Sequence, residues 1–307
     1  MSEIFVVGSL NMDLIFSTKR LPKVGETLQS DNFNMLPGGK GANQAVACAL
    51  LDVSSYMIGN IGDDLFGEMI RKSLKIKGVN TDYLSICKGS NTGVACIVLN
   101  NNDNRIILDQ GANQVTLYPQ VSAALNQVAN EKDVLLAQLE IPLDTVFKAL
   151  VLAKKKGLTT ILNPAPAKKL PDNIYEYIDI IIPNEIEAEM ITRINSNSPN
   201  FNQLVVEYFI NKGVKEVIIT RGCKGSIYGD SNGFITVKPF DVEVVDTTGA
   251  GDAFVGAITS RVAKGYSVKE SLDFASASSA LAVMKLGAQN SMPTLKEVED
   301  FLNRKLG

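Results

Sequence analysis

The chain has 307 residues, and its 30 lysines and arginines against 33 aspartates and glutamates leave a formal net charge of −3. At about 100–200 residues per domain this is two ordinary domains or one large α/β unit; 45% hydrophobic and 21% charged residues exclude disorder as the main state, and no basic block points to nucleic acid. There is no histidine and no tryptophan, which removes Ser-His-Asp and Cys-His chemistry and every histidine-ligated zinc site.

Residues 4–8 (IFVVG) form a continuous apolar run ended by glycine, the pattern of a buried strand. Glu3, Asn11 and Asp13 interrupt the N-terminal segment where a signal peptide needs a basic start and an unbroken apolar stretch. Residues 11–36 alternate polar and apolar positions without a helical period. Residues 41–51 (GANQAVACALL) predict a helix rich in alanine and leucine. Residues 92–109 read as a hairpin about a turn near 100–104. Strands are expected at 133–139, 159–162, 178–182 and 216–220. Residues 142–156 predict an amphipathic helix with proline in its first turn and a lysine triplet at its end, where the helix dipole favours cations. From Gly251 onward the chain is nearly all helical, broken at Gly265 and Pro293. Apolar strands separated by helices mean a mostly parallel central sheet covered on both faces. With no linker or repeat, the expectation is one α/β domain over 1–307, with a small β lid from about 11–36 and 92–110.

The cysteines Cys48, Cys87, Cys96 and Cys223 form no CxxC pair, so free thiols in a reducing compartment are expected. No run approaches the roughly 20 apolar residues of a membrane span. A soluble, cytoplasmic protein is expected.

Two glycine clusters carry the candidate chemistry. The first, Pro37-Gly38-Gly39-Lys40-Gly41-Ala42-Asn43, lets backbone approach a ligand closely. It is not a Walker A loop, because Asn34 stands where the first glycine belongs and Gly41 replaces the magnesium-binding Ser or Thr. The second, Asp246-Thr247-Thr248-Gly249-Ala250-Gly251-Asp252, follows a strand-like 242–245 and opens a helix. Such a turn offers free N–H groups and the positive end of the dipole to a phosphate, although Asp252 equally suits a plain helix cap. Neither cluster has G-x-G-x-x-G, since Phe254 occupies the required third position, so a Rossmann dinucleotide site is unsupported.

GGKGANQAVA at 38–47 with DTTGAGDAF at 246–254 closely resembles the two signatures of the ribokinase-like (PfkB) carbohydrate kinases. Segments between and after them resemble the same family in order: GSLNMD at 8–13, GDD at 62–64, QLEIPL at 138–143, NPAPA at 163–167, PNEIEAE at 183–189, TRGCKG at 220–225 and KLGAQ at 285–289. The resemblance spans essentially the whole chain. It implies the ribokinase-like α/β fold and Mg2+-dependent transfer of the ATP γ-phosphoryl group to the primary hydroxyl of a sugar, O5 of ribose. A deoxyribose or nucleoside substrate is the alternative within the family, and a non-catalytic sugar-binding relative the alternative outside it.

The resemblance also implies roles, residue by residue. Asp252 is the catalytic base, and the amides of Gly249, Ala250 and Gly251 are the anion hole. A carboxylate base suits a chain without imidazole. The sugar falls to Asn11, Met12, Asp13, Gly39, Lys40, Gly41, Ala42, Asn43 and Glu140, together with Asp252. Asn11 and Asp13, two apart on an extended segment, point the same way. The nucleotide falls to Asn184, Thr220, Arg221, Gly222, Cys223, Lys224, Gly225 and Ser276, with Gly251 and Asp252 at its phosphates. Asn184 and Glu187 fit an Asn-x-x-Glu pattern linked to Mg2+. A K+ site is implied at Asp246, Thr248, Ala282, Lys285, Gly287 and Ser291, mostly through carbonyl oxygens, with Lys285 replacing an expected arginine. A one-sided lid sheet invites pairing with a second copy, so a homodimer is expected.

Overall fold

The computed structural model describes residues 2–100 and 103–306. In chain order the first third comprises β1 (Ile4–Val7), β2 (Asn11–Thr18), β3 (Asn32–Gly38), α1 (Lys40–Leu50), β4 (Ser55–Gly62), α2 (Leu65–Ile76), β5 (Leu84–Cys87), β6 (Gly93–Asn100) and β7 (Asp103–Asp109). The middle holds α3 (Tyr118–Val128), β8 (Val134–Ala137), α4 (Leu143–Lys155), β9 (Thr159–Leu162), β10 (Ile180–Ile181), α5 (Glu185–Thr192) and α6 (Phe201–Asn211). It ends with β11 (Glu216–Thr220), β12 (Ser226–Asp230), β13 (Gly233–Val237), α7 (Ala250–Ala263), α8 (Val268–Val283) and α9 (Leu295–Leu306).

Strand β1 is apolar at every position because both of its faces are covered. It lies between β4 and β8, parallel to each, in the sheet β13-β12-β11-β10-β9-β8-β1-β4-β5. Only β12 runs against the others in that sheet, antiparallel to β11 on one side and to β13 on the other. Alternate residues of β1 face opposite layers, as the pleat requires. Ile4 and Val6 pack with Ala45, Ile258 and Ala275 of α1, α7 and α8. Phe5 and Val7 pack with Leu125, Leu150 and Phe209 of α3, α4 and α6.

A second sheet, ordered β3-β2-β6-β7, is built from two segments distant in sequence. Met12 and Leu14 of β2 turn into the main core, which sends Asn11 and Asp13 to the other face. The hairpin expected at 92–109 is the antiparallel pair β6–β7, and residues 101–102 of its turn lie outside the described residues.

Three expectations are corrected. Residues 242–245 are not a strand: no neighbour pairs with them, Val244 and Val245 are exposed, and the Val245 amide donates to the Val283 carbonyl at 2.8 Å. The 178–182 strand shrinks to the two residues of β10, bounded by Asp179, which bonds to Thr160, and Pro183. Pro142 stands at the N-cap of α4, one residue ahead of the helix.

Gly39 turns the chain from β3 into α1 at φ 89°, and a Cβ there would lie 2.7 Å from the Asn11 backbone nitrogen. Both the backbone region and the space reject a side chain. Gly39→Ala should therefore cost about 2–4 kcal/mol, the sum of positive-φ strain and overpacking, read as a lower urea midpoint at unchanged m-value.

Candidate active site

The carboxyl ends of β1, β8, β9 and β11 meet the N-termini of α1, α5 and α7, where an open parallel sheet places a ligand. Beyond β1, the Ser9 hydroxyl donates to Glu140 Oε2, which also accepts from the Lys40 amide at 3.2 Å. The Gly41 and Ala42 amides return to Ser9, at its Oγ (3.4 Å) and its carbonyl (2.9 Å). Asn11 Oδ1 accepts from Asn113 Nδ2 at 2.8 Å, and Asn113 also brackets the Leu10 peptide.

Asp252, in the first turn of α7, is buried and takes one amide on each oxygen. Gln44 Nε2 donates to Oδ1 at 2.8 Å and Asn43 Nδ2 to Oδ2 at 3.0 Å. Gln44 is fixed in turn. Its Nε2 also donates to Asn163 Oδ1 at 2.9 Å, and its Oε1 accepts from Gln138 Nε2 at 2.6 Å.

Charge gathers tightly here. Burial, reinforced by the nearby Glu140 and Asp252 carboxylates, pushes the Asp13 carboxyl up to about 7, with Lys40 opposing the rise. Burial works against the Lys40 ammonium, yet Asp252, Glu140, Glu187 and Asp13 together outweigh it and hold Lys40 above its ordinary range. Glu187 is raised by burial, with Asp252 adding to the rise while the Asn184 amide and Lys40 oppose it. Lys40 thus stands among four carboxylates drawn from β2, α5, α7 and the end of β8.

On the other side, Asn184 and Glu187 form a capping box: the Asn184 amide donates to Glu187 Oε2 and the Glu187 amide to Asn184 Oδ1, each at 2.8 Å. Asn184 bridges to Thr220, the last residue of β11. Arg221 and Lys224 pair with Glu185, Nε to Oε1 at 3.2 Å and Nζ to Oε2 at 3.9 Å. Gly222 and Gly225 turn the exposed 221–225 loop, which carries Cys223. Ser276 is buried on α8.

The turn into α7 needs glycine at 249, where φ is 79° and a Cβ would lie 3.0 Å from Ala288 Cα. The Ala250 amide bonds back to Thr247 at 3.3 Å, whereas a side chain at Gly251 would meet open space. Asp246 accepts from the Thr248 amide and hydroxyl (2.9 and 2.7 Å) and from the Gly287 amide (2.9 Å). Partial burial opposes its charge, but these donors hold it below the usual carboxylate range. Lys285 turns to Glu297, 2.7 Å away, while Ala282 and Ser291 are buried beside the loop.

Some of the candidate residues turn their side chains into the core or use their amides within the protein. Met12 and Ala42 bury their side chains in the core, and the Gly41 and Ala42 amides are spent on Ser9. The turn they make is what aims Lys40 and Asn43. Roles not assigned from sequence belong to Ser9, Gln44, Asn113, Gln138 and Asn163. Their signal is a fully buried polar side chain at the end of an apolar strand or inside an alanine-rich helix, and it needs the fold to be seen.

The chain belongs to the pfkB family of carbohydrate kinases, whose sequence model it matches over residues 1–295. It is 40% identical to a ribokinase from Schizosaccharomyces pombe, over 99% of both chains. A deoxyribokinase from Salmonella typhi is 34% identical, over 98% of this chain and 99% of the relative. The structure of Arabidopsis thaliana ribokinase complexed with ribose and ATP superposes with a TM-score of 0.90 at 33% identity, covering 98% of this chain and 99% of the other.

The raised Asp13 carboxyl has a signed consequence. Between about pH 4 and 7 the native state holds a proton that the unfolded chain has lost, so stability falls as pH rises through that window. Asp13→Asn removes the slope. Its advantage over the parent should grow by about 1–3 kcal/mol from pH 5 to pH 8, discounted for partial exposure, as thermal unfolding without ligand would measure.

Proposed function

We propose that this chain transfers the γ-phosphoryl group of ATP to O5 of D-ribose, giving ribose 5-phosphate and ADP. The observation that carries the reading is Asp252: a buried carboxylate at a helix N-terminus, facing the Asn43 amide and the Lys40 ammonium. O5 attacks the γ-phosphorus, the bond to the β-phosphate oxygen breaks, and the hydroxyl proton passes to the Asp252 carboxylate. The amides of Gly249 and Gly251, at the positive end of α7, steady the migrating charge, and Ala250 joins them if its weak bond to Thr247 is exchanged for a phosphate oxygen.

Asn11, Asp13, Gly39, Lys40, Asn43 and Glu140 hold the sugar hydroxyls. Lys40 offsets the negative charge that Asp13 and Glu140 bring to the site. Asn184, Thr220, Gly222, Gly225 and Ser276 hold the nucleotide, with Arg221, Cys223 and Lys224 shaping its loop. Among the described residues no cluster of three Asp, Glu or Cys is placed to cage a metal. Glu187, with Asn184 beside it, is the carboxylate that would hold Mg2+ in place together with the phosphates, an oxygen set suited to that hard cation. A cation held there would supply charge neutralisation of the phosphates. For K+, the oxygens of Asp246, Thr248, Ala282, Gly287 and Ser291 and the Lys285 carbonyl form a hard donor set. Its support is the Asp246 carboxylate, which ties both loops together.

The second sheet acts as the lid, excluding water from the transfer. Ile106 and Ile107, 57% and 75% exposed on β7, support pairing of the lid with a second copy. No described helix is long and apolar enough to cross a membrane, and the four cysteines are unpaired, which supports the cytoplasm as the working compartment.

Three measurements test this. With ATP and Mg2+, ribose should exceed 2-deoxyribose, fructose and adenosine in kcat/KM, and KCl should raise the rate; a preference for deoxyribose would move the chain to the other kinase. Asp252→Asn should lower kcat by about 10²–10⁴-fold, and near-parental turnover would refute the base. Sedimentation should give twice the chain mass for the parent and one chain mass for Ile107→Glu.

A further inference from the structure

We infer that Gln44 is a positioning residue for the base: its carboxamide, locked by Gln138 and Asn163, sets the angle at which Asp252 presents its carboxylate. The inference rests on the kinase reading above. Gln44 is fully buried on a helix whose other buried positions are mostly small and apolar, a costly place for an amide unless each polar atom is matched.

The matching is directional. Gln138, just beyond β8, donates to Gln44 Oε1 at 2.6 Å, so the Gln44 NH2 group must face the opposite way. Its nitrogen is shared between Asn163 Oδ1 at 2.9 Å and Asp252 Oδ1 at 2.8 Å. Asn163 is pinned in its own turn, donating through Nδ2 to the Ile182 carbonyl at 2.7 Å. Gln138, beyond the carboxyl end of β8, and Asn163, beyond that of β9, therefore converge on Gln44 of α1, whose amide nitrogen ends on one oxygen of the base.

The other oxygen, Oδ2, is held by Asn43. Asn43 is expected to meet the sugar and is free to readjust as the sugar arrives. Gln44 touches only protein. Its contact with Oδ1 is the one that stays constant through the reaction, fixing the carboxylate plane while Oδ2 takes the proton. An acceptor misaligned by a fraction of an ångström loses rate without losing substrate affinity.

The test is a double-mutant cycle between Gln44→Met and Asp252→Asn, run with the sugar that the parent prefers. Gln44→Met keeps the side-chain length and removes both the donors and the acceptor. Alone it should lower kcat about 10–100-fold with the KM values for sugar and ATP within about 3-fold. In the Asp252→Asn background the same change should cost less than about 2-fold, because no base remains to be aligned.

Equal cost in both backgrounds would overturn the inference, as would a Gln44→Met enzyme with kcat within 2-fold of the parent or one whose loss lies in KM. Should Gln44→Met fail to fold, Gln138→Met leaves the Asp252 contact in place but frees the orientation of Gln44, and the same cycle applies with a smaller expected loss of about 3–10-fold. A parent that phosphorylates no sugar, or an Asp252→Asn variant at parental rate, would instead defeat the kinase reading itself.

Discussion

The close meeting of α1 and α7 underlies everything else. Helix α1 brings Asn43 and Gln44 to Asp252 of α7, and the Cys48 thiol reaches the Gly256 carbonyl at 3.6 Å. A buried carboxylate is unfavourable unless its oxygens are matched, and two amides from one neighbouring helix meet that requirement without bringing a cation into contact. The alanines that line α1 are what let the two helices approach closely enough for the short amides to reach.

Electrostatic balance around Lys40 follows from the same packing. Four carboxylates act on one ammonium, and the balance is kept by burial that resists further charge. Asp13 is displaced toward neutrality, first by its burial and then by the nearby Glu140 and Asp252 carboxylates. A ligand rich in hydroxyls relieves that strain by donating to the carboxylates, whereas an anionic ligand on the sugar side would aggravate it. The pattern favours an uncharged polyol on one side of Asp252 and an anion at the α7 amides on the other.

Much of this was legible in the sequence, for identifiable reasons. Residues 4–8, 159–162 and 216–220 read as strands because both faces are buried and the apolar run is unbroken. GGKGAN and GAGD stood out because glycine density is rare unless backbone must approach something. Residues 242–245 misled because four residues with three valines resemble a strand whether or not a partner strand exists, and pairing is a property of the fold. The roles of Gln44, Gln138 and Asn163 were illegible for a related reason. Each amide looks like an ordinary polar residue until the topology brings together positions 94 and 119 residues apart along the chain.

Glu140 offers a last consequence. One of its oxygens is shared by the Ser9 hydroxyl and the Lys40 amide, joining positions separated by 131 and 100 residues. Those contacts exist only once β1, β8 and α1 have all found their places, so the pocket has no local fragment that could assemble by itself. Occupying it must therefore stabilise the molecule as a single cooperative unit. A bound small molecule would raise the melting temperature of the whole chain by mass action, and a chain nicked between the two ends of any of these contacts would lose recognition and folding together.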